Sequence, residues 1–331
     1  MLLSVNASIS PVKVPSYLGP RTPVPYGTIQ GGWRGLPRRP FAPCTTKDGR
    51  VRPLSQRHFF GSHNVYDGLV LRELDEGPDW GTNPPLYRQL IQQLRPTVAV
   101  EVGVWRGATS LAFADSLRNL SRGRAAAGLT STMRHQQRGS REQPGVVVSV
   151  DTWLGAAEFW PQNQQGRKAG TRTTGGARDL ILVNGFPSIY YSFLSNVVRR
   201  NLSDYIVPFP VTSLVAAEFF RRDQFRANLV HVDASHAERD VANDLEAWWP
   251  LVADGGILMG DDYDNIHWKG LVRAVDAFVV RHGVTLECYG LKWLVRKPCV
   301  GGSQPLEPTV AKAANRTRSR KRSGRKRAGR L

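Results

Sequence analysis

Helical and strand-like patterns of apolar residues alternate through the middle of the chain. Apolar positions recur at helical spacing in six segments, and short runs of β-branched or continuously apolar residues lie between them. The helical segments are residues 84–96, 108–119, 188–201, 213–222, 236–249 and 269–282. The strand-like runs are residues 97–102, 145–151, 204–211, 227–233 and 255–262, followed by a closing pair at 284–290 and 291–297.

This alternation predicts the fold class. Strands of continuous apolar character, separated by helices, are typical of a parallel sheet that is covered on both faces. Within the closing pair only a glycine, Gly290, separates the apolar residues of the two runs, which indicates an antiparallel hairpin. We therefore expect an α/β protein with a doubly wound, mostly parallel, seven-stranded Rossmann-like sheet and a C-terminal antiparallel hairpin.

The two ends of the chain differ from the middle in charge and in proline content. The net charge is +18, residues 1–60 contain nine Lys and Arg against one acid, and residues 312–331 contain ten basic residues and no acid. Such ends cannot bury a core. We predict a Pro-rich basic arm (1–60), a single domain (61–300) and a disordered basic tail (301–331). The stretch 121–144, rich in Gly, Ser and Arg, is predicted to be a surface insertion of the domain.

Cysteine content and hydropathy bear on the compartment. Three cysteines, Cys44, Cys288 and Cys299, are too few and too scattered for a disulfide framework or a Cys-based zinc site. No apolar run reaches the 18 or so residues that span a bilayer. These features favour a cytoplasmic location. Organelle targeting through the arm and nuclear import through the tail stay open.

The segment "EVGVWRGATS" (101–110) predicts a ligand site. In a doubly wound sheet the ligand lies beyond the carboxyl ends of the strands, where the first strand turns into its helix. A pyrophosphate prefers a G-x-G-x-x-G loop without a preceding acid, whereas E-x-G-x-x-x-G suits a cationic group such as the sulfonium of S-adenosylmethionine. Asp151, at the end of the second strand, is placed to accept ribose hydroxyls. The alternative is that both glycines serve helix packing and that Asp151 caps a turn.

"EVGVWRGATS" and "SVDTWLG" together resemble class I S-adenosylmethionine-dependent methyltransferases. The resemblance covers residues 84–298 and is nearest to the small-molecule O-methyltransferases of the catechol and macrocin types. It implies four sets of cofactor contacts. These are Glu101, Gly103, Gly107 and Ser110 at the methionyl group, Asp151 at the ribose, Thr152 and Trp153 at the adenosine, and Thr212 and Ser213 at the adenine.

Three aspartates follow the fourth and fifth predicted strands, in "HVDASH" and "MGDDY". Asp233, Asp261 and Asp262 should emerge side by side, and three converging carboxylates repel one another unless a cation lies among them. Oxygen ligands suit Mg²⁺, so we predict a magnesium site. The alternative is that one aspartate caps a helix and another faces water. The resemblance agrees with the first reading, because metal-dependent relatives hold their ion with residues at these positions.

His236 is the candidate general base, and Asp233, three residues earlier, is the other candidate catalytic residue. The catechol type has a lysine at the position of His236, and the macrocin type has an acid at the position of Ser235. A histidine can take a proton near neutral pH. His236 as a substrate contact or as a helix-start residue stays open.

The predicted reaction is methyl transfer to a hydroxyl of a small molecule, such as a sugar, a vicinal diol or a phenol. Aromatic residues after the second strand would suit a lid over such an acceptor or would simply pack in the core. Two other functions stay open: a nucleic-acid-associated methyltransferase recruited by the basic tail, and a cofactor-binding protein that does not methylate. The tail would also suit an anionic membrane surface. Whether the chain forms a homo-oligomer is left open.

Overall fold

The computed structural model describes residues 51–71, 84–127, 145–156, 160, 180 and 182–299. Most of the predicted arm, the insertion beyond residue 127 and the predicted basic tail lie outside the described residues. In the part of the chain that is described, no helix is long and apolar enough to cross a bilayer.

The described elements follow the predicted alternation. The helices are α1 (Arg57–Phe60), α2 (Pro84–Leu94), α3 (Ala108–Ala127), α4 (Ile189–Arg199), α5 (Ser213–Arg222), α6 (Glu238–Trp248) and α7 (Lys269–His282). A 3₁₀ turn, Trp249–Leu251, follows α6. The strands are β1 (Val98–Val102), β2 (Val146–Val150), β3 (Leu182–Val183), β4 (Phe186–Pro187), β5 (Ile206–Phe209), β6 (Ala227–Val232), β7 (Val252–Gly260), β8 (Leu286–Tyr289) and β9 (Lys292–Arg296).

Seven of these strands form one sheet in the order β5-β2-β1-β6-β7-β9-β8. The first five are parallel neighbours, and β9 pairs antiparallel with both β7 and β8. The strand order reverses at β1, which is the switch point where such sheets bind ligands. The predicted fold class, including the C-terminal hairpin, is confirmed.

Two apolar clusters cover the two faces of the sheet. Val98, Val100 and Val102 of β1 belong to one cluster, together with residues of α5, α6 and α7. Ala99 belongs to the other, together with residues of α2, α3 and α4. All five residues of β1 are buried. Burial on both faces explains the continuous apolar character of the strands, since neither side of the pleat meets water.

Some details differ from the predicted boundaries. Helix α3 continues to Ala127 and so includes the start of the predicted insertion. Residues 51–60, assigned to the arm, pack on the sheet: Leu54 is buried, and the Phe59 ring lies 4.9 Å from the Phe209 ring. The short hairpin β3-β4 was not predicted. Cys288 has a free thiol, whereas Cys299 is disulfide-bonded.

Candidate active site

The turn between β1 and α3 has a backbone that needs its glycines. Gly103 and Gly107 have φ angles of +84° and +90°, in the left-handed region. A Cβ atom on Gly103 would lie 2.1 Å from the carbonyl oxygen of Asp233, and one on Gly107 would lie 2.5 Å from the Phe193 ring. Contacts with other protein atoms therefore explain why both positions are glycine. The turn packs directly against the end of β6.

Glu101 lies on β1 just before this turn. Its side chain is buried, and the carboxylate accepts a hydrogen bond from the Ser110 hydroxyl. The Ser110 oxygen lies 2.6 Å from that of Ser149 on β2. Burial raises the pKa of Glu101 well above its usual value, and the charge of Asp233 adds to this shift. A cation bound nearby would offset this burial cost.

Asp151 joins the ends of β1 and β2. One carboxylate oxygen accepts from the backbone N–H groups of Val104 (2.8 Å) and Trp105 (2.9 Å). The other accepts from the N–H of Trp153 at 2.8 Å. Three of the roughly four acceptor positions of the carboxylate are therefore used within the protein. Ribose binding by Asp151 stays a prediction, and one acceptor position is left for it.

The two residues after Asp151 differ in exposure. Trp153 is 2% exposed, stacks on Phe193 with ring centroids 5.1 Å apart, and donates from Nε1 to the carbonyl of Trp105 at 2.8 Å. Its burial does not support an adenosine contact. Thr152 is half-buried, and its hydroxyl accepts from the N–H of Leu154 at 3.3 Å.

Thr212 and Ser213 begin α5. Thr212 is the N-cap residue, and its hydroxyl accepts from the N–H of Val215 at 3.3 Å. The Ser213 hydroxyl accepts from Nε1 of Trp248 at 3.0 Å. Both side chains thus have structural partners, and their predicted contact with adenine stays a prediction.

Asp233 and Asp262 lie together at the carboxyl edge, as predicted. The backbone N–H of Asp233 donates to the carbonyl of Val102 at 2.8 Å, which ties the end of β6 to that of β1. Burial, followed by the charge of Asp261, raises the pKa of Asp233 to about 7. One ligand atom from each of Asp233, His236 and Asp262 lies within 4.8 Å of the others.

Asp261 does not join this group. It is 5% exposed and forms an ion pair with the Lys292 ammonium, which is 4% exposed. Its Oδ1 atom accepts from the backbone N–H of Asp262 at 2.8 Å. Asp261 as a metal ligand stays a prediction, because one of its carboxylate oxygens contacts Lys292 and the other contacts the backbone N–H of Asp262. The signal that could have predicted this ion pair is a lysine at the first position of an apolar strand, because a buried charge there needs a partner of opposite charge.

His236 is held by a carboxylate and an indole. Its Nε2 atom lies 2.9 Å from Oδ2 of Asp262, and its ring stacks on Trp268 with centroids 3.8 Å apart and planes 15° apart. Trp268 remains 37% exposed, so the indole is accessible to solvent. Sequence reasoning missed Trp268. An aromatic residue preceding α7 carries no pattern that predicts a partner.

The predicted Mg²⁺ site does not fit these contacts. Mg²⁺ prefers oxygen ligands, yet one of the three predicted oxygen donors is paired with Lys292. The remaining set contains an imidazole, which suits transition metals better. An ion between His236 and Asp262 would also have to displace the proton of their hydrogen bond.

Comparisons with known proteins identify a domain within the chain. A family model described as a methyltransferase domain matches residues 100–263, close to half of the chain. No curated protein matches the chain. The match to the family model confirms the family resemblance that was found in the sequence.

Among solved structures, similar chains include three methyltransferases. CalS11, a calicheamicin methyltransferase, is 20% identical, with 63% of this chain and 75% of that chain covered and a TM-score of 0.41. The O-methyltransferase NovP is 18% identical, with 64% and 78% covered and a TM-score of 0.41. TomG from Streptomyces achromogenes, an O-methyltransferase, is 14% identical, with 67% and 83% covered and a TM-score of 0.42.

Proposed function

We propose, from the premise that residues 100–263 belong to the methyltransferase domain family, that the protein transfers a methyl group from S-adenosylmethionine to a hydroxyl of a small molecule. One observation carries the proposal. The turn that contains Gly103 is seated on the carbonyl of Asp233, so the predicted cofactor side and the His236–Asp262 pair lie at neighbouring strand ends. This proximity supports a methyl donor and a base that act at one edge of the sheet.

The proposed cofactor site consists of Glu101 and the turn between β1 and α3, called the β1 turn below. S-adenosylmethionine, when bound, supplies an electrophilic methyl group on a positively charged sulfur. The ionised form of Glu101, which burial disfavours, is favoured again by a positive charge nearby. Asp151 holds the N–H groups of Val104 and Trp105, which keeps the turn in its left-handed conformation. The turn is thus shaped before a ligand binds.

His236 is the proposed base for the acceptor hydroxyl. When Nε2 carries the proton and donates to Asp262, Nδ1 is the basic atom of the ring. The Asp262 carboxylate orients the imidazole and stabilises the imidazolium that forms when Nδ1 takes the proton. We leave a divalent metal out of this mechanism, because Asp261 is paired with Lys292.

The surroundings of His236 favour an acceptor with a ring. Trp268 is 37% exposed where it stacks on the imidazole, and Ile266, two residues earlier, is 74% exposed. A partly exposed indole beside the His236–Asp262 pair suits a sugar or a phenol, which combine an apolar face with hydroxyl groups.

Isothermal titration of the full chain with S-adenosylmethionine and with NAD tests the cofactor. We expect binding in the micromolar range, on the order of −8 kcal/mol, for S-adenosylmethionine alone. Glu101→Gln should weaken it about tenfold, as the loss of one charge interaction implies. Asp204→Asn, at an exposed acid, is the matched control. Absence of S-adenosylmethionine binding by the wild type would refute the proposal.

Transfer of a labelled methyl group to catechol and to methyl rhamnoside tests the base. His236→Asn should lower the rate by about 10²–10⁴-fold, which is the usual contribution of general base catalysis. The affinity for S-adenosylmethionine should not change. A variant as fast as the wild type would show that another group takes the proton.

A further inference from the structure

Lys292 is a buried cation at the edge of the site that the proposed mechanism does not use. It is the first residue of β9, and the next residue, Trp293, pairs with Gly260 at the end of β7. This register brings the lysine beside Asp261, the residue that follows β7. Both residues are at least 95% buried, and their side chains form an ion pair. Removing either partner would leave an uncompensated charge in the interior.

The ammonium acts on more than one acidic group. Its positive charge opposes the rise in the pKa of both Asp261 and Asp233 that burial causes. On its other side, Nζ lies 5.7 Å from the centre of the Tyr87 ring. Tyr87 in turn has its hydroxyl 3.4 Å from Nε2 of His231. Burial and the Lys292 charge lower the pKa of His231, so that imidazole is neutral and adds no positive charge.

The ion pair also holds the chain that orients His236. While one oxygen of Asp261 contacts Lys292, the other accepts from the N–H of Asp262 at 2.8 Å. Asp262 has a φ angle of +58°, a conformation that residues other than glycine rarely adopt. In this conformation its carboxylate reaches Nε2 of His236 at 2.9 Å. The position of the Asp262 carboxylate therefore depends on a turn that Lys292 anchors.

We propose that the Lys292 ammonium takes the place of a metal ion at this edge of the sheet and that Lys292 is a positioning residue of the site. Its ammonium takes the Asp261 carboxylate that a divalent ion would otherwise use, and through Asp261 it holds the Asp262–His236 pair. The catalytic consequence rests on the proposed function. The competition with a divalent ion does not, and it can be measured without an acceptor or a cofactor.

Titration of the full chain with Mn²⁺, free of other ligands, tests the competition. Lys292→Met releases Asp261 to join Asp233 and Asp262, so the affinity for Mn²⁺ should rise about tenfold or more above that of the wild type, as one added carboxylate ligand implies. The double variant Lys292→Met/Asp261→Asn should lose this gain. Lys269→Met, at an exposed lysine, is the matched control and should bind as the wild type does.

Two outcomes would overturn the proposal. One is an affinity of the Lys292→Met variant no higher than that of the wild type. The other is a double variant that binds Mn²⁺ as tightly as Lys292→Met alone, since the released carboxylate would then play no part. Circular dichroism checks that each variant folds. Lys292→Gln, which removes the positive charge and leaves only a neutral amide beside Asp261, replaces the methionine variant if that chain does not fold.

The positioning role has a separate kinetic test with S-adenosylmethionine and catechol. Lys292→Met should lower kcat about tenfold with no change in the affinity for S-adenosylmethionine, because misorientation affects the chemical step. Lys292→Arg should recover part of the rate. A variant with unchanged kcat would refute the positioning role. If the wild type does not bind S-adenosylmethionine, the proposed function fails, while the Mn²⁺ comparison still decides whether Lys292 blocks Asp261.

Discussion

Replacing Gly103 with alanine would place a methyl group where the backbone of Asp233 lies. The added Cβ would be 2.1 Å from the carbonyl oxygen, 2.5 Å from the carbonyl carbon and 2.7 Å from the Cα of Ala234. All three are backbone atoms at the end of β6, so no side-chain rotation relieves the overlap. Either the β1 turn or the end of β6 must move.

The expected cost has two parts. Holding alanine at a φ of +84° costs about 1–2 kcal/mol, because Cβ approaches the following carbonyl in left-handed conformations. Inserting a methyl group into a packed contact costs about 1–3 kcal/mol more. We therefore expect Gly103→Ala to lower the free energy of unfolding by about 2–5 kcal/mol, a large share of the usual 5–15 kcal/mol.

A variant at a second glycine separates the backbone cost from the cost of the steric clash. Gly283 follows α7 with a φ of +60°, and a Cβ there would meet no atom within 4 Å. Gly283→Ala should therefore show only the backbone cost, about 1–2 kcal/mol. Urea unfolding followed by circular dichroism gives both values, and the difference between them measures the clash. Equal losses for the two variants would refute the claim that the β1 turn is packed against β6.

Three further predictions concern carboxylates and the aromatic stack. Asp151→Asn, which removes one of two acceptor oxygens, should destabilise the fold by about 1–3 kcal/mol in urea unfolding and weaken S-adenosylmethionine binding; an unchanged unfolding free energy would contradict this. Burial raises the pKa of Asp244 from 3.8 to about 6, so the folded state keeps its proton over a range where the unfolded chain has lost it. Stability should consequently fall as the pH rises from 4 to 6, and Asp244→Asn should remove about 2 kcal/mol of this loss when unfolding is compared at both pH values. Trp268→Ala frees the His236 ring and should lower kcat for methyl transfer about tenfold, whereas Trp268→Phe, which can still stack, should retain most of it.

The sheet could be predicted because its sequence pattern repeats in every unit. Each parallel strand is buried on both faces and reads as a short apolar run, and each helix reads as a 3.6-residue pattern between two such runs. The carboxyl ends of parallel strands meet at one edge, so Asp233 and Asp262 were expected together and are found together. The predicted hairpin β8-β9 follows the same logic, with Gly290 at its turn.

The partners of the charged groups could not be predicted in this way. Asp261 and Asp262 are neighbours in the chain, yet one contacts Lys292 and the other contacts His236. Which of the two points inward depends on the φ angle of Asp262 and on the register of β9 against β7. Neither quantity leaves a local pattern in the sequence.

By itself, the sequence determined the order of strands and helices along the chain and the set of acidic residues at the carboxyl edge, because these depend on periodicity and on the direction of parallel strands. Only the tertiary structure decided what those residues contact. It places the carbonyl of Asp233 against Gly103, buries Trp153 under the turn, and pairs Asp261 with Lys292, 31 positions away. Such contacts join distant segments, and their geometry is decided when the sheet assembles.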